Sequence, residues 1–155
     1  MKDLFDDDDT CTLGEKSAFS FLCRENVEEL AGFFQHKALK SGETLWEEGD
    51  DCDYVAIINS GRVEVKKNTE FKGKYVIVGI YNQGAVVGAL CILDGSPRAV
   101  TAVALEDVSL MVITQEDFDR LIEQKPELGI KLLKGMLLSV SIRLRKSFER
   151  LAKFF

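Results

Sequence analysis

The chain reads as a strand-rich antiparallel barrel or sandwich closed by helices, mainly β within the α+β class. Two observations lead there. From Ala38 to about Thr114, short β-prone runs alternate with turn signals at spacings near ten residues, with no long helix between them. From Thr114 onward the apolar residues switch to three- and four-residue steps, the period of an amphipathic helix. At 155 residues, 46% hydrophobic and 30% charged, the chain is long enough for one domain with a real core.

The elements follow in order. Residues 1–16 are acidic and polar, and the run Asp6 to Asp9 repels itself, which predicts a disordered acidic N-terminus. Phe19, Leu22, Val27, Leu30, Phe33 and Phe34 recur mostly at helical steps. Asn26 is placed to cap a helix over 27–35, with Glu28 and Glu29 in its first turn. The strand runs are Thr44 to Trp46, Tyr54 to Ile58, Arg62 to Val65, Tyr75 to Ile80, Thr101 to Ala104 and Ser109 to Ile113. Turns fall at Gly42, Gly49-Asp50, Asn59-Ser60-Gly61, Lys72-Gly73, Asn82-Gln83-Gly84 and Asp94-Gly95-Ser96-Pro97. Without helices between the strands, a parallel α/β sheet is disfavoured.

Thr114 is a capping residue for a helix whose stripe is Phe118, Leu121 and Ile122, with Glu116 and Asp117 at its positive end. Pro126 fits the first turn of a last helix running from about 126 to 151. Ile130, Leu133, Leu137, Val140, Leu144, Ser147 and Leu151 form a coiled-coil seam with one polar break. A second stripe of Leu132, Met136, Ser139 and Arg143 faces elsewhere, so one face is expected to pair with a second copy and the other to cover the barrel. The expected organisation is a disordered 1–16, a strand-rich body with flanking helices over 17–125, and a dimerising helix over 126–155.

Charge and composition exclude several functions. A net charge of −6 and a pI near 4.9 argue against a general nucleic-acid binder, which depends on basic side chains neutralising phosphates, but leave room for a local cationic pocket. No apolar run reaches the roughly 18–20 residues that span a bilayer. The first residues lack the basic and apolar regions of a signal peptide, so a cytoplasmic location without membrane attachment is expected. Cys11, Cys23, Cys52 and Cys91 are separated by 12, 29 and 39 residues and contain no Cys-x-x-Cys pair. That spacing favours reduced thiols acting as small hydrophobes over a metal site. His36 is the single histidine, and no nucleophile–histidine–acid ordering or glycine-rich GK[ST] loop stands out, so no catalytic residues and no enzymatic activity are expected.

The segment from Gly84 to Ala104 departs from routine sheet sequence. A strand ends at Gly84, Val87 to Ile92 suits a short helical turn, and Gly88 permits close backbone approach. Unpaired N–H groups at such a turn attract anions. Arg98 follows the Ser96-Pro97 bend and carries a planar fork matched to phosphate oxygens. The bland reading of the same residues is a structural turn with Arg98 paired to a surface carboxylate.

Val87-Gly88-Ala89-Leu90-Cys91-Ile92 and Pro97-Arg98-Ala99-Val100-Thr101-Ala102 resemble the phosphate-binding cassette of the cyclic-nucleotide-binding domain family, of the type found in catabolite activator proteins and in regulatory subunits of cAMP-dependent protein kinase. Lys40 to Asp50, Asp53 to Val65 and Leu105 to Val108 are similar to other parts of that family's pattern, so the resemblance covers about residues 19–150. It implies an antiparallel double-stranded β-helix (a jelly-roll-like β-roll) with an N-terminal helix and two C-terminal helices. It also implies a regulatory sensor that binds a small anionic nucleotide and couples it to the last helix and a homodimer. The ligand-binding residues implied are Gly88, Ala89, Leu90, Cys91, Arg98, Ala99 and Val100, with Arg143, and Ser139 beside it, near a purine ring.

No metal and no cofactor is implied beyond cAMP or another nucleotide as ligand. Ala99 stands where cGMP-selective members often carry threonine, which leans towards cAMP. Ala89 stands where ligand-binding members carry a glutamate that accepts from the ribose 2′-hydroxyl. Its loss costs on the order of 1–3 kcal/mol, roughly five- to 150-fold in affinity. The alternatives are a dimerisation or interaction module that no longer senses a cyclic nucleotide, or the sensor half of a transcription regulator. Relatives that read DNA carry a helix-turn-helix after the long helix, whereas this sequence stops at Phe155, so no specific DNA binding by this chain alone is expected.

Overall fold

Alternation along two central strands explains the architecture. In β3 (Tyr54–Ser60), Val55 and Ile57 point one way while Ala56 and Ile58 point the other, and all four are buried. In β8 (Val108–Thr114), Met111 and Ile113 oppose Leu110 and Val112 in the same manner. Successive side chains on a strand face opposite sides, so an unbroken apolar run needs cover on both. One side is covered by a second sheet and the other by helices.

The computed structural model describes residues 21–155, so the acidic segment 1–16 and Cys11 lie outside the described residues. Its elements are α1 (Arg24–Ala31), β1 (Gln35–Leu39), β2 (Thr44–Trp46), β3, β4 (Val63–Asn68), β5 (Tyr75–Tyr81), β6 (Val86–Val87), a 3₁₀ turn (Ala89–Cys91), β7 (Thr101–Ala104), β8, α2 (Gln115–Gln124) and α3 (Pro126–Ala152). The strands form two four-stranded antiparallel sheets, ordered β1-β8-β3-β6 and β2-β7-β4-β5. This is the mainly-β roll with flanking helices that the sequence implies.

Between the sheets lies one core, built from residues such as Leu45, Trp46, Ile58, Val63, Val87, Ala102 and Leu110. The second core fills the space between the outer face of the first sheet and the helices, with Leu30, Ile57, Met111, Phe118, Leu121, Leu132 and Met136. Among the described residues, no helix is long and apolar enough to cross a membrane.

Several local expectations need correction. Helix α1 starts three residues before the expected position. Cys23 is the N-cap, and Asn26, at the third helical position, accepts from the Cys23 backbone N–H at 3.1 Å. Asn26 therefore closes the cap from inside the helix. Residues 35–39, partly assigned to that helix, form β1 instead, because pairing with β8 from Gln35↔Val112 to Leu39↔Val108 outweighs a weak local pattern. Strand β6 carries no sequence signal, because two residues are too short for a visible alternation.

The cysteine expectation is also corrected. Cys52 and Cys91 form a disulfide, with Cα atoms 5.9 Å apart, and Cys23 is the free cysteine among the described residues. The loop before β3 folds onto the 3₁₀ turn, an approach that a separation of 39 residues does not announce.

The C-terminal helices follow the sequence closely. Thr114 Oγ1 accepts from the Asp117 backbone N–H at 3.1 Å, capping α2. Phe118 and Leu121 are buried, while Ile122 is only half-buried and packs at the margin of the helical core. Pro126 opens α3, on which Leu132, Met136 and Ser139 are buried. On the seam, by contrast, Ile130, Leu137, Leu144 and Leu151 are all more than half exposed.

Replacing the capping hydroxyl tests whether α2 depends on it. Thr114→Ala is expected to lower stability by about 1 kcal/mol, read as a drop in the urea midpoint with an unchanged m-value.

Candidate functional site

The glycine turn and Arg98 converge. After β6, Gly88 adopts φ 80° and ψ 18°, a left-handed conformation that disfavours any residue with a Cβ. A Cβ there would lie 2.5 Å from Arg98 Nη1 and 2.9 Å from Trp46 Cη2. The guanidinium and the indole are pressed against the Gly88 backbone. The expected helical turn over 87–92 is shorter than anticipated, a 3₁₀ turn of Ala89–Cys91, with Val87 still in the sheet. A single turn has little dipole, so any pull on an anion at this place rests on local N–H groups and on Arg98.

Arg98 is held from its backbone outward. Its N–H donates to Asp50 O and its carbonyl accepts from the Gly49 N–H, both at 2.8 Å. Its side chain is 1% exposed, with Nη2 donating to Asp53 Oδ1 at 3.1 Å. Nη1 points at Cys91 Sγ, 3.6 Å away. The guanidinium carbon sits 3.9 Å from the Trp46 ring centroid and 4.9 Å from that of Tyr54. Burial pulls the Arg98 pKa below its ordinary value, opposed by Tyr54 and Asp53. Arginine stays charged even so. Its buried Nε–H has no hydrogen-bond partner among the described residues.

A cavity of about 230 Å³ opens beside these groups. Gly88, Ala89, Leu90, Cys91, Arg98, Ala99, Val100 and Arg143, the residues named from the sequence, all line it. Leu90, 64% exposed, stands at the rim. Trp46, Val65, Val78, Tyr81 and Val87 complete the barrel side, and Val140, Leu144 and Ser147 complete the helix side.

Ser139 does not reach this cavity. It is buried and lines a neighbouring one of about 500 Å³ with Arg143, Lys146 and Arg150. Residues 140, 144 and 147, read from the sequence as seam positions, also wall the cassette cavity, because the seam borders it. Arg143 donates to Val86 O and lies 4.1 Å from the Tyr81 ring centroid, with burial lowering its pKa and Tyr81 opposing.

Sequence reasoning missed Trp46, Tyr54 and Asp53. A lone tryptophan on a three-residue strand carries no mark of its partner, and Asp53 was one acid among several in a turn.

This cradle of glycine backbone and buried guanidinium has the form needed to bind an anionic group. The orphaned Nε–H suits a phosphate oxygen, whereas Ala89 supplies no acceptor for a ribose hydroxyl. A family model described as "Cyclic nucleotide-binding domain" matches residues 36–125. The chain belongs to the cyclic nucleotide-binding domain family. It is 28% identical over 108 residues to the cyclic AMP receptor protein of Thermus thermophilus, covering 70% of this chain and 50% of that protein. It is 27% identical over 110 residues to the cAMP-dependent protein kinase regulatory subunit of Eremothecium gossypii, covering 71% of this chain and 23% of the subunit. Among solved structures, a cyclic nucleotide-binding domain from Methylobacillus flagellatus superposes with a TM-score of 0.79 at 30% identity, covering 84% of this chain and 73% of that one. The chain thus spans half or less of the two curated relatives, and the cassette is part of the region the family shares.

Gly88→Ala in this cyclic nucleotide-binding domain should be destabilising by about 1–3 kcal/mol, from backbone strain at a left-handed position. The added methyl also displaces the guanidinium from the indole. Trp46 is the single tryptophan, so a shift in its emission reports that displacement directly.

Proposed function

We propose that this chain is a regulatory sensor domain, not an enzyme, that binds a small anionic nucleotide, with cAMP favoured, in the cavity that Gly88 and Arg98 line. The observation that carries the reading is the buried Arg98 guanidinium, with an unpaired Nε–H, packed against the Gly88 turn in the wall of a cavity. In this reading Gly88, Ala89, Leu90 and Cys91 offer backbone to the cyclic phosphate. Arg98 exchanges part of its interaction with Asp53 for the phosphate charge, and Ala99 and Val100 flank it. Trp46 and Tyr81 give apolar faces, and Arg143 sits towards the base. The relatives named for cyclic AMP support the choice of nucleotide.

Coupling runs through α3. Val140, Arg143, Leu144 and Ser147 line the cavity from the helix. A ligand that prefers one position of that helix shifts it by its difference in affinity and no more. Ile130, Leu137, Leu144 and Leu151 repeat every seven residues on an exposed apolar strip, which supports a parallel homodimer in which helix movement alters the subunit arrangement. A cytoplasmic location, with no membrane attachment and no specific DNA contact by this segment alone, completes the proposal.

Ala89 favours a second reading, a dimerisation or interaction module whose pocket no longer senses a cyclic nucleotide. A further alternative is the sensor half of a larger transcription regulator, in keeping with a chain that spans 50% of the cyclic AMP receptor protein it resembles.

Calorimetric titration separates them. Saturable cAMP binding with a Kd below about 100 μM supports the sensor, and no binding at millimolar cAMP or cGMP supports the second reading. Arg98→Leu should remove the binding, because an uncompensated phosphate in a desolvated site costs about 2–5 kcal/mol. Ala89→Glu should tighten it roughly five- to 150-fold by restoring an acceptor.

The dimer is tested separately by Leu137→Glu with Leu144→Glu. Analytical ultracentrifugation should show the parent as a dimer and the double variant as a monomer with an unchanged far-UV spectrum; a monomeric parent rejects the seam.

A further inference from the structure

We propose that Cys52 and Cys91 are a thiol–disulfide exchange site that sets the anion affinity of the cassette, an inference that rests on the nucleotide reading for its ligand but not for its chemistry. The disulfide joins two parts of the molecule that meet on Arg98. Cys52 lies beside Asp53, whose carboxylate pairs with Arg98 Nη2, and Cys91 closes the 3₁₀ turn and receives Nη1 at 3.6 Å. The loop carrying Cys52 is tied to the Arg98 backbone by two further hydrogen bonds, from Gly49 and to Asp50. Opening the disulfide therefore frees the turn Ala89–Cys91 from the loop while leaving the loop on Arg98.

The two sulfurs differ in a way that sets the direction of attack. Cys91 is 3% exposed, whereas Cys52 is only half-buried, which makes Cys52 the more accessible residue of the pair. A thiolate of a dithiol reductant attacks the Cys52 sulfur, forming a mixed disulfide. The Cys52–Cys91 bond breaks and its electron pair leaves with Cys91 as a thiolate. The guanidinium beside Cys91 stabilises that leaving group, and a better leaving thiolate speeds exchange. The reductant's second thiolate then displaces Cys52, which takes up a proton, so the protein gains two electrons and one proton while Cys91 stays a thiolate beside Arg98; the reductant becomes a disulfide and its other proton goes to solvent. An oxidised dithiol reverses the sequence.

The oxidised and reduced states present different charges to a ligand. In the disulfide, Cys91 is neutral and Arg98 faces an incoming phosphate with Asp53 as its ion-pair partner among the described residues. In the reduced protein a Cys91 thiolate competes for the same guanidinium, and the released turn orders on binding at an entropic cost. Reduction thus weakens anion binding. Where thiols are kept reduced, the pocket sits in its low-affinity state until oxidation closes the pair.

The full chain is compared before and after dithiothreitol treatment, with mass spectrometry of alkylated peptides recording the state of Cys52 and Cys91, and with Cys52→Ser as a permanently open form. Expected on reduction are a shift in Trp46 emission, faster amide exchange over Ala89–Cys91 and at least a fivefold loss of cAMP affinity, all shared by Cys52→Ser. Absence of cAMP binding in both states defeats the nucleotide reading alone, since emission and exchange still judge the switch. Equal emission and exchange in the two verified states, equal cAMP affinity in both, or a pair that never forms under an oxidised dithiol each overturns the proposal.

Discussion

A positive charge held inside a β-roll is the constraint around which this molecule is arranged. Removing a guanidinium from water is costly unless its hydrogen bonds and charge are answered. Arg98 is answered from three directions: Asp53 provides the carboxylate, Trp46 and Tyr54 provide ring faces, and Asp50 and Gly49 fix the backbone. Each answer in turn constrains another element. Gly88 has no room for a side chain because Arg98 and Trp46 occupy its space. Trp46 is anchored by its own Nε1–H to Val100 O at 3.0 Å, which ties β2 to the segment just after Arg98. The β2–β3 loop lies over the cassette because its carboxylate, its backbone and its cysteine all meet there. One donor of the guanidinium, on Nε, remains without a partner among the described residues.

The last helix is the second organising feature, and its two faces have different tasks. One face, with Leu132 and Met136, belongs to the core shared with α2 and the first sheet. Further along, Arg143 reaches β6 through the Val86 carbonyl and stacks on Tyr81 of β5. These contacts hold α3 against the cavity while leaving an apolar strip bare. The helix is therefore fixed at its start by core packing and, further along, by a few polar contacts beside a cavity.

Much of the fold was legible because strands with one clear alternation and helices with one clear stripe carry their own period. Thr44 to Trp46 and Thr101 to Ala104 were placed to the residue, and Thr114 and Pro126 marked the helix starts. Gln35 to Leu39 was not legible. Its residues are mostly polar and exposed, and it is a strand only because the edge of β8 accepts it. Asn26 does take part in capping, but from inside the helix, where its amide oxygen accepts from the backbone N–H of the N-cap residue Cys23. The cassette was legible through its glycine, its bend and its arginine, which lie within eleven residues of one another. Asp53, Tyr54 and Trp46 were not, since their roles exist only after β2 and β3 have been brought alongside.

Local sequence settled the periods, the turns, the capping residues and the chemical identity of the anion-attracting groups, because each depends on neighbours a few residues away. Tertiary folding settled which carboxylate faces Arg98, that Cys52 meets Cys91 and not another thiol, and that part of the apparent dimer seam also walls a cavity. Those outcomes depend on distances between segments far apart in the chain. Such distances are set by sheet pairing and by the burial of one charge, and no short stretch of residues encodes them.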